Sequence, residues 1–430
     1  MKPPDTGICF AARQGGMALI MLLLLAIVAA TTAFLATLGM QSGDLAQQND
    51  QRTMAALQTA KEALLAWSAN NSTDPGLLPC PENTANIGTP TEGDAITAPP
   101  NCYGLPAVGR LPWTTLNLGD LRDAHGERLW YVLSPGFRGA PINSDTAAQL
   151  TVDGVANRAV ALIISPGLAL VGQTRPQPTA ASPPQIGNYL DLANNDGNAS
   201  YITAGANGQF NDRVMIVTAE ELFRFVERRV LSDVAFALRE YFSCGNQYMK
   251  ADGSCNSGAI ANNFFPRPAS FSDTQCLGAA SIATACNDQP GITAGRIPAN
   301  PATPWFSQSL LRGSATGTTK LRGASISNTN WFQRNGWREL IYYAVDANCT
   351  LPTCAGGSVA IHDPAFGSRL HRAVLVSAGR ALPGQLRASN ANRTAESNYL
   401  EGENLSPLDN VFAASPPIGI PYNDIAYGIP

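Results

Sequence analysis

The chain has 430 residues, a formal net charge of −4, a charged fraction of 14%, 39 glycines and 31 prolines. The acidic balance and the absence of any run of like charges exclude a nucleic-acid-binding protein. This composition is typical of a loop-rich β or α+β protein rather than of a helical one.

The first predicted element is a long helix that starts in an apolar segment. No charged residue occurs from Met17 to Met40, and about 20 apolar residues are enough to span the core of a bilayer. Beyond this segment, apolar residues recur at spacings of three and four, for example at Leu57, Ala60 and Leu64. The pattern predicts one continuous transmembrane and amphipathic stalk helix over residues 17–70.

The residues before this helix indicate that the chain is cleaved at the start of the helix. A short polar leader ends in Gly15-Gly16, directly before Met17. This start resembles the type III leader of type IV pilins and type II secretion pseudopilins. The resemblance implies a prepilin leader over residues 1–16, cleavage by a prepilin peptidase between Gly16 and Met17, and methylation of the new amino terminus. A glycine suits such a site because its backbone enters a narrow cleft without a side chain. An uncleaved signal anchor is the alternative.

One departure from the family concerns the fifth position after the cleavage site. The family usually has Glu there, where it neutralises the amino terminus of a neighbouring subunit. In this chain the position is Met21, and no acidic residue follows before Asp44. Because a buried, unpaired charge is costly, the resemblance is to minor subunits, including the large pseudopilin at a filament tip.

The segment after the stalk helix reads as a first module over residues 71–217. Its predicted strands, rich in β-branched and aromatic residues, are Arg128–Ser134, Arg158–Ser165 and Arg213–Thr218. Between them lies a loop with Asp191, Asn194 and Asp196. Oxygen ligands on a Gly-containing loop suit Ca²⁺, and major pseudopilins bind calcium after their sheet. Calcium is therefore the candidate metal here, although Asn-Asp-Gly is also an ordinary turn sequence.

A second helix is predicted over residues 218–243, where a second module (218–430) begins. Thr218 and Glu221 have the spacing of a capping box. Five apolar residues then follow at intervals of four: Leu222, Val226, Val230, Val234 and Leu238. A Cys-rich loop insertion is predicted over residues 244–304, and a sheet region over 305–430 with strands Glu339–Val345 and Arg372–Ala378.

The two modules share sequence, which indicates a tandem duplication. Ser165–Arg175 and Ser377–Arg387 are identical at seven of eleven positions, at an offset of 212. The tripeptide Asn-Tyr-Leu at 188–190 recurs at 398–400. Similar offsets in the same order indicate a repeated unit. The predicted fold class is therefore α+β: an N-terminal transmembrane and stalk helix, then two tandem pilin-like modules, each a helix plus a small antiparallel sheet with disulfide-stapled loops.

The cysteines beyond the apolar segment are even in number and close together in sequence. They are Cys80, Cys102, Cys244, Cys255, Cys276, Cys286, Cys349 and Cys354. Sequential pairing is our first choice among the 105 connectivities that eight cysteines allow. Such pairs indicate an oxidising compartment outside the cytoplasm.

The functional interpretation is a non-catalytic assembly subunit. The three histidines and the other candidate nucleophiles match no catalytic motif, so we do not expect an enzyme or a cofactor. We expect a minor pilin or pseudopilin-like structural subunit, at the tip of a filament or in assembly initiation. Its partners would be other pilins through the N-terminal helix, the prepilin peptidase and the bacterial inner membrane. The bulk would lie in the periplasm, or outside the cell on a filament.

An alternative class is an adhesin or binding module that uses the loops of the second module. Seven aromatic residues of that module could form its recognition surface: Phe264, Phe265, Trp305, Phe306, Trp331, Phe332 and Trp337. Whether the partner machine is a type IV pilus or a type II secretion system stays open at this point.

Overall fold

The structure is a computed structural model, and it describes residues 45–96, 102–278, 285–312, 318–326, 330–405, 410–414 and 422–430. Residues 56–430 form one compact unit. The described residues form a mixed α+β fold, in which two sets of strands repeat the same arrangement.

Five α-helices are present among the described residues. They are α1 (45–70), α2 (Ala219–Cys244), α3 (Trp331–Arg334), α4 (Trp337–Leu340) and α5 (Asn390–Arg393). In α1, Leu57, Ala60 and Leu64 are buried, as their spacing predicts, whereas Met54 is exposed. The capping box at the start of α2 is confirmed: the Glu221 amide donates to Thr218 Oγ1 at 3.2 Å, and the Thr218 amide donates to Glu221 Oε2 at 3.0 Å.

The strands of the first half are β1 (Val108–Arg110), β2 (Trp130–Leu133), β3 (Leu150–Val152), β4 (Val155–Ala159), β5 (Ala161–Ser165), β6 (Ser200–Tyr201) and β7 (Arg213–Val217). Those of the second half are β8 (Ala294–Arg296), β9 (Thr319–Leu321), β10 (Ala324–Ile326), β11 (Ile341–Val345), β12 (Val359–Asp363), β13 (Gly367–His371), β14 (Ala373–Ser377), β15 (Val411–Ala413) and β16 (Ile425–Ile429). The sequence therefore predicted the main strands to within a few residues. The first residues of Glu339–Val345 are the exception, because Trp337–Leu340 forms α4.

Each half contains the same pair of sheets. The larger is an antiparallel sheet of four strands, in the order β1-β2-β5-β7 in the first half and β8-β11-β14-β16 in the second. The smaller has three strands, β4-β3-β6 and β13-β12-β15, and each combines an antiparallel pair with a parallel one. Strands β9 and β10 form a separate hairpin. We call the two sets of sheets, with the loops between their strands, the first repeat and the second repeat.

Strand register extends the similarity to single residues. Leu133 lies opposite Ala161 in the first repeat, and Val345 lies opposite Ala373 in the second. Both equivalences have an offset of 212 residues, the offset found in the sequence. The duplication is thus visible in strand order, strand direction and register.

Helix α2 belongs to the core of both repeats. Of its 26 residues 16 are buried, so it is enclosed on more than one face. Its Phe223 ring lies 5.8 Å from the ring of Phe137 in the first repeat and 6.3 Å from that of Trp337 near the second. One continuous cluster of buried side chains contains residues of α1, of α2 and of both four-stranded sheets.

The predicted fold class is therefore wrong in its architecture. The halves are not two modules that each combine one helix with a small antiparallel sheet. Each has two sheets, one of them mixed, and α2 packs in a core shared by both. The reason is that the apolar residues of α2 cover more than one face, so a single sheet does not bury them. Within the described ranges, no helix has the length and apolar character that crossing a membrane requires. The predicted membrane segment, 17–40, lies outside those ranges.

Candidate functional site

The predicted processing site cannot be placed in the fold. Gly15, Gly16 and Met17 lie outside the described residues.

The eight cysteines of residues 56–430 form four disulfide bonds, which join sequential neighbours: Cys80–Cys102, Cys244–Cys255, Cys276–Cys286 and Cys349–Cys354. Disulfides of this number form and persist in oxidising compartments. The chain therefore has an extracytoplasmic location.

The predicted calcium ligands belong to a hydrogen-bonded loop arrangement. The Asp191 carboxylate accepts from Gln173 Nε2 and from the Asn211 amide, both at 2.8 Å. The Asn194 side chain accepts from the Ile202 amide at 2.9 Å. These oxygens are thus already engaged by protein donors.

Asp196 has a different environment from the other two predicted ligands. It is exposed, and its carboxylate accepts from the Asn198 amide at 3.0 Å. Among the described residues, no group of three or more His, Cys, Asp or Glu side chains is arranged to hold a metal ion. Asp191 and Asn194 have a structural role that accounts for their position, and calcium binding stays an untested prediction.

The same arrangement recurs in the second repeat. The Glu401 carboxylate accepts from Gln385 Nε2 at 2.7 Å and from the Asn423 amide at 3.0 Å. Asn404 accepts from the Ala413 amide at 2.9 Å. We call each set a loop clasp. In the first repeat it ties the loop after β5 to the segment before β7, and in the second repeat it ties the loop after β14 to the segment before β16.

A buried aspartate lies at the centre of each loop clasp. Asp212 Oδ2 accepts from the Asp191 amide at 3.0 Å and from Asn194 Nδ2 at 2.9 Å. Asp424 Oδ2 accepts in the same way from the Glu401 amide and from Asn404 Nδ2, at 3.0 and 3.1 Å. The second oxygen of each aspartate is buried and has no hydrogen-bond partner among the described residues.

Burial without a full set of donors favours the neutral form of a carboxyl group. Burial raises the pKa of Asp212 to about 7. Burial, followed by the neighbouring charge of Glu401, raises the pKa of Asp424 well above its ordinary value. The acids at the centre of the loop clasps therefore change protonation at higher pH than exposed aspartates do.

An arginine completes each loop clasp. Arg175 donates to the carbonyl oxygens of Asn188 at 2.9 Å and Gly167 at 2.7 Å. Arg387 donates in the same way to Asn398 at 2.7 Å and Gly379 at 2.9 Å. Arg175 and Arg387 are the last residues of the two matching segments, and their hydrogen bonds hold the loop in both repeats.

A polar cleft of about 190 Å³ lies beside the loop clasp of the first repeat. Four arginines and two glutamates are among its lining residues: Arg110, Arg122, Arg128, Arg175, Glu92 and Glu127. Three of the arginines are paired, Arg122 with Asp120 at 2.7 Å, Arg128 with Asp120 at 2.8 Å and also with Glu92, and Arg175 with Glu127 at 3.3 Å.

Arg110 differs from the other arginines of this cleft. Its side chain is 6% exposed, and its Nε is buried without a hydrogen-bond partner in the described part of the chain. Its guanidinium lies 5.8 Å from the centre of the Tyr189 ring. The nearby Glu82 is also buried, and neither of its carboxylate oxygens has a hydrogen-bond partner there. Burial raises the pKa of Glu82, while the charges of Arg110 and Arg128 lower it by less.

The aromatic residues expected to form a recognition surface are mostly buried. Phe265, Trp305, Phe306, Trp331, Phe332 and Trp337 belong to the core, and Phe264 is half-buried. Trp305 and Tyr241, for example, lie ring to ring at 4.7 Å. These residues are packed under long loops, so they do not form an exposed surface.

Two features of this region were missed in the sequence. The segments "VGRLP" at 108–112 and "AGRIP" at 294–298 match at an offset of 186, and they contain the two buried arginines Arg110 and Arg296. The dipeptide Asn-Asp at 211–212 also recurs at 423–424. Both signals are short and lie outside the longer matches. The first has a different offset because the second repeat is longer in this part: Arg296 and its opposite residue Tyr342 are further apart in sequence than Arg110 and Trp130.

No protein-family model, curated protein or solved structure matches this chain.

Proposed function

We propose that the chain is a minor pilin-like structural subunit of a type IV pilus or a type II secretion filament, at the tip or in assembly initiation. The observation that carries this proposal is the N-terminal sequence: a polar leader ending in Gly15-Gly16, then Met17 and an uncharged segment up to Met40. The four disulfides support it, because such a subunit works outside the cytoplasm.

The proposed location follows from this order of segments. The apolar residues 17–40 would hold the newly made chain in the bacterial inner membrane, with the paired cysteines in the periplasm. Lys2 and Arg13 lie on the leader side, and positive charges next to an apolar segment favour the cytoplasmic face. Cleavage would then allow the apolar segment to exchange contacts with lipid for contacts with other subunits.

The position within the filament is inferred from Met21 and from size. Without an acid at this position, the chain has no carboxylate there to neutralise the amino terminus of a neighbour. A long ectodomain with one shared core is also bulky for a subunit that repeats along a filament. Both features favour a terminal or initiating subunit.

The hydrogen bonds of the acidic residues in the loop clasps favour a role without catalysis. The buried acids Asp212 and Asp424 are held by loop donors, and the Asp191 and Glu401 carboxylates are bonded to amides of their own repeat. These contacts maintain the fold. The adhesin alternative is not favoured, because the aromatic residues on which it depended are mostly buried.

The experiment that tests this proposal is mass spectrometry of the native N-terminus in cells with an active prepilin peptidase. We expect a chain that starts at methylated Met17. Gly16→Glu should keep the leader, because a large charged side chain does not enter a site built for glycine. Gly15→Ala is the matched control and should still be processed. An intact Met1 in the unmodified chain would contradict the proposal, as would stoichiometric incorporation along a purified filament.

A further inference from the structure

The two repeats place a buried arginine at the same point of the same sheet. Arg110 ends β1 and lies opposite Trp130, and Arg296 ends β8 and lies opposite Tyr342. Trp130 and Tyr342 are themselves equivalent in register, with Ile164 and Val376 as their partners on the next strand. Arg110 and Arg296 each face the ring of the equivalent tyrosine, Tyr189 at 5.8 Å and Tyr399 at 5.4 Å.

The second repeat shows which groups accept hydrogen bonds from this arginine. Arg296 donates to three main-chain carbonyl oxygens, those of Phe271 at 3.2 Å, Glu339 at 3.0 Å and Arg393 at 2.6 Å. Its guanidinium also lies 3.9 Å from the centre of the Phe271 ring. Arg296 is fully buried as a result. The binding partner of the arginine in the second repeat is thus polypeptide from the same chain.

In the described part of the first repeat, the equivalent segments do not supply these groups. Ala269 pairs with Arg296 across the sheet edge, with both hydrogen bonds at 2.9 Å, and Phe271 follows two residues later. In the first repeat the Glu82 amide donates to the Arg110 carbonyl at 3.0 Å. The residue two positions after Glu82 is Thr84, which offers no aromatic ring.

A second segment also differs, for a reason that is visible in the sequence. Between Arg387 and Asn398 the chain forms α5, whose last residue, Arg393, contributes a carbonyl to Arg296. Between Arg175 and Asn188 the chain reads "PQPTAASPPQIG", with four prolines. Prolines lack an amide proton and break helices. Here Pro176, Gln177 and Pro178 line the open cleft instead of closing it.

The charges around the cleft select the chemistry of a ligand. Its four arginines are balanced by the lining residues Glu92 and Glu127 together with the neighbouring acids Glu82 and Asp120. Because the site is close to neutral, a strongly anionic ligand gains little there. Neutral carbonyl oxygens fit better, since they accept from a guanidinium without adding charge.

We propose that the cleft of the first repeat binds a segment of a partner polypeptide, which presents main-chain carbonyl oxygens to Arg110 and an aromatic side chain to its guanidinium plane. The partner segment takes the place that Phe271 and Arg393 take in the second repeat. This inference goes beyond the proposed function and does not depend on it, since neither the cleavage at Gly16 nor filament assembly enters the reasoning.

The test uses the full chain in detergent and a blocked pentapeptide that copies residues 268–272, Pro-Ala-Ser-Phe-Ser, with 4-fluorophenylalanine in place of Phe. Fluorine NMR detects weak binding of this probe by line broadening and shift. We expect saturable binding, weakened about tenfold or more in Arg110→Lys, which loses the planar set of donors. Arg158→Gln, at an exposed ion pair on β4, is the matched control and should bind as the unmodified chain does.

A second variant keeps the test decisive if Arg110→Lys folds poorly. Gln177 is exposed and lines the cleft, so Gln177→Trp fills the cleft from the surface without changing the core. It should weaken binding by a similar factor. Absence of saturable binding to the unmodified chain would overturn the proposal. Equal binding by Gln177→Trp and Arg158→Gln would also overturn it, because the peptide would then bind elsewhere.

Discussion

The two repeats have the same strands and the same loop clasp, yet they differ in what surrounds the buried arginine at the sheet edge. In the second repeat Arg296 is enclosed by carbonyl oxygens of its own chain. In the first repeat Arg110 borders an open cleft, with its Nε unpaired within the described residues. The comparison teaches that a duplicated framework can keep its internal hydrogen bonds in both copies while only one copy closes its edge. The copy that is closed then indicates what the open one can bind.

The largest expected effect is a difference in stability between equivalent arginine substitutions. Arg296→Met would remove a fully buried guanidinium that donates to three carbonyl oxygens, and we expect it to lower the free energy of unfolding by about 3–5 kcal/mol. Arg110→Met removes no described side-chain hydrogen bond, and the nearby Glu82 can take up a proton, so we expect a loss of about 1 kcal/mol. Urea unfolding of both variants measures this. Equal losses would mean that the two environments are energetically alike.

Two of the disulfides close loops of different length, and this difference predicts different effects on stability. Cys80–Cys102, beside the first repeat, closes a separation of 22 residues, whereas Cys349–Cys354 in the second repeat closes one of 5. Loop-closure entropy predicts a loss of about 3 kcal/mol for the double Cys→Ser variant at the first bridge and about 2 kcal/mol at the second. Thermal and urea unfolding under non-reducing conditions check this order. A larger loss at the short loop would show that native contacts, and not chain entropy, decide the difference.

The buried aspartates make stability depend on pH. Because burial raises the pKa of Asp212 to about 7, the folded state holds a proton that the unfolded state has released above about pH 4. The contribution of Asp212 to stability is therefore fully present below pH 4 and is lost as the pH rises towards 7. Between pH 5 and 8, the free energy of unfolding of Asp212→Asn should therefore fall by about 2–3 kcal/mol less than that of the unmodified chain.

The matched variant is Asp424→Asn in the second repeat. Burial and the neighbouring Glu401 charge raise the pKa of Asp424, so its contribution to stability should likewise be lost as the pH rises. Unfolding free energies at several pH values, measured for both variants, separate the two aspartates. A pH profile unchanged by either substitution would contradict their assignment as buried acids with raised pKa values.

The smallest expected difference concerns the loop clasps themselves. Asp191→Ala and Glu401→Ala each remove a carboxylate that accepts one backbone amide and one glutamine side chain. Each should cost about 2 kcal/mol, and the two losses should agree within about 0.5 kcal/mol because the contacts are equivalent. Chemical denaturation at pH 7 gives both values. A clearly larger loss in one variant would show that the repeats hold their loops by different contacts.

Part of this fold could be predicted from the sequence, for identifiable reasons. The start of α2 was predictable because a capping box is a local signal between Thr218 and Glu221. The central strands were predictable because their β-branched runs are bounded by turn residues. The internal match from Ser165 to Arg175 predicted the duplication, and it contains Gln173 and Arg175, two residues of the loop clasp.

Other features depend on contacts that local patterns do not encode. The shared packing of α2 between both sheets arises from side chains far apart in sequence, such as Phe137, Phe223 and Trp337. The oxygens of Asp191 and Asn194 suggested a metal, but in the fold they accept hydrogen bonds from nearby loop groups. Arg110 was overlooked because a single arginine in a short strand gives no periodic signal.

The measurement that tests the difference between the repeats most directly is the rate at which methylglyoxal modifies each arginine in the native chain. Arg110 borders an open cleft, while Arg296 is fully buried. Peptide mass spectrometry after brief exposure should find Arg110 modified about tenfold faster or more, because Arg296 becomes accessible only when its surroundings open. Equal rates at the two arginines would contradict the account, since they would show that the first repeat is closed as tightly as the second.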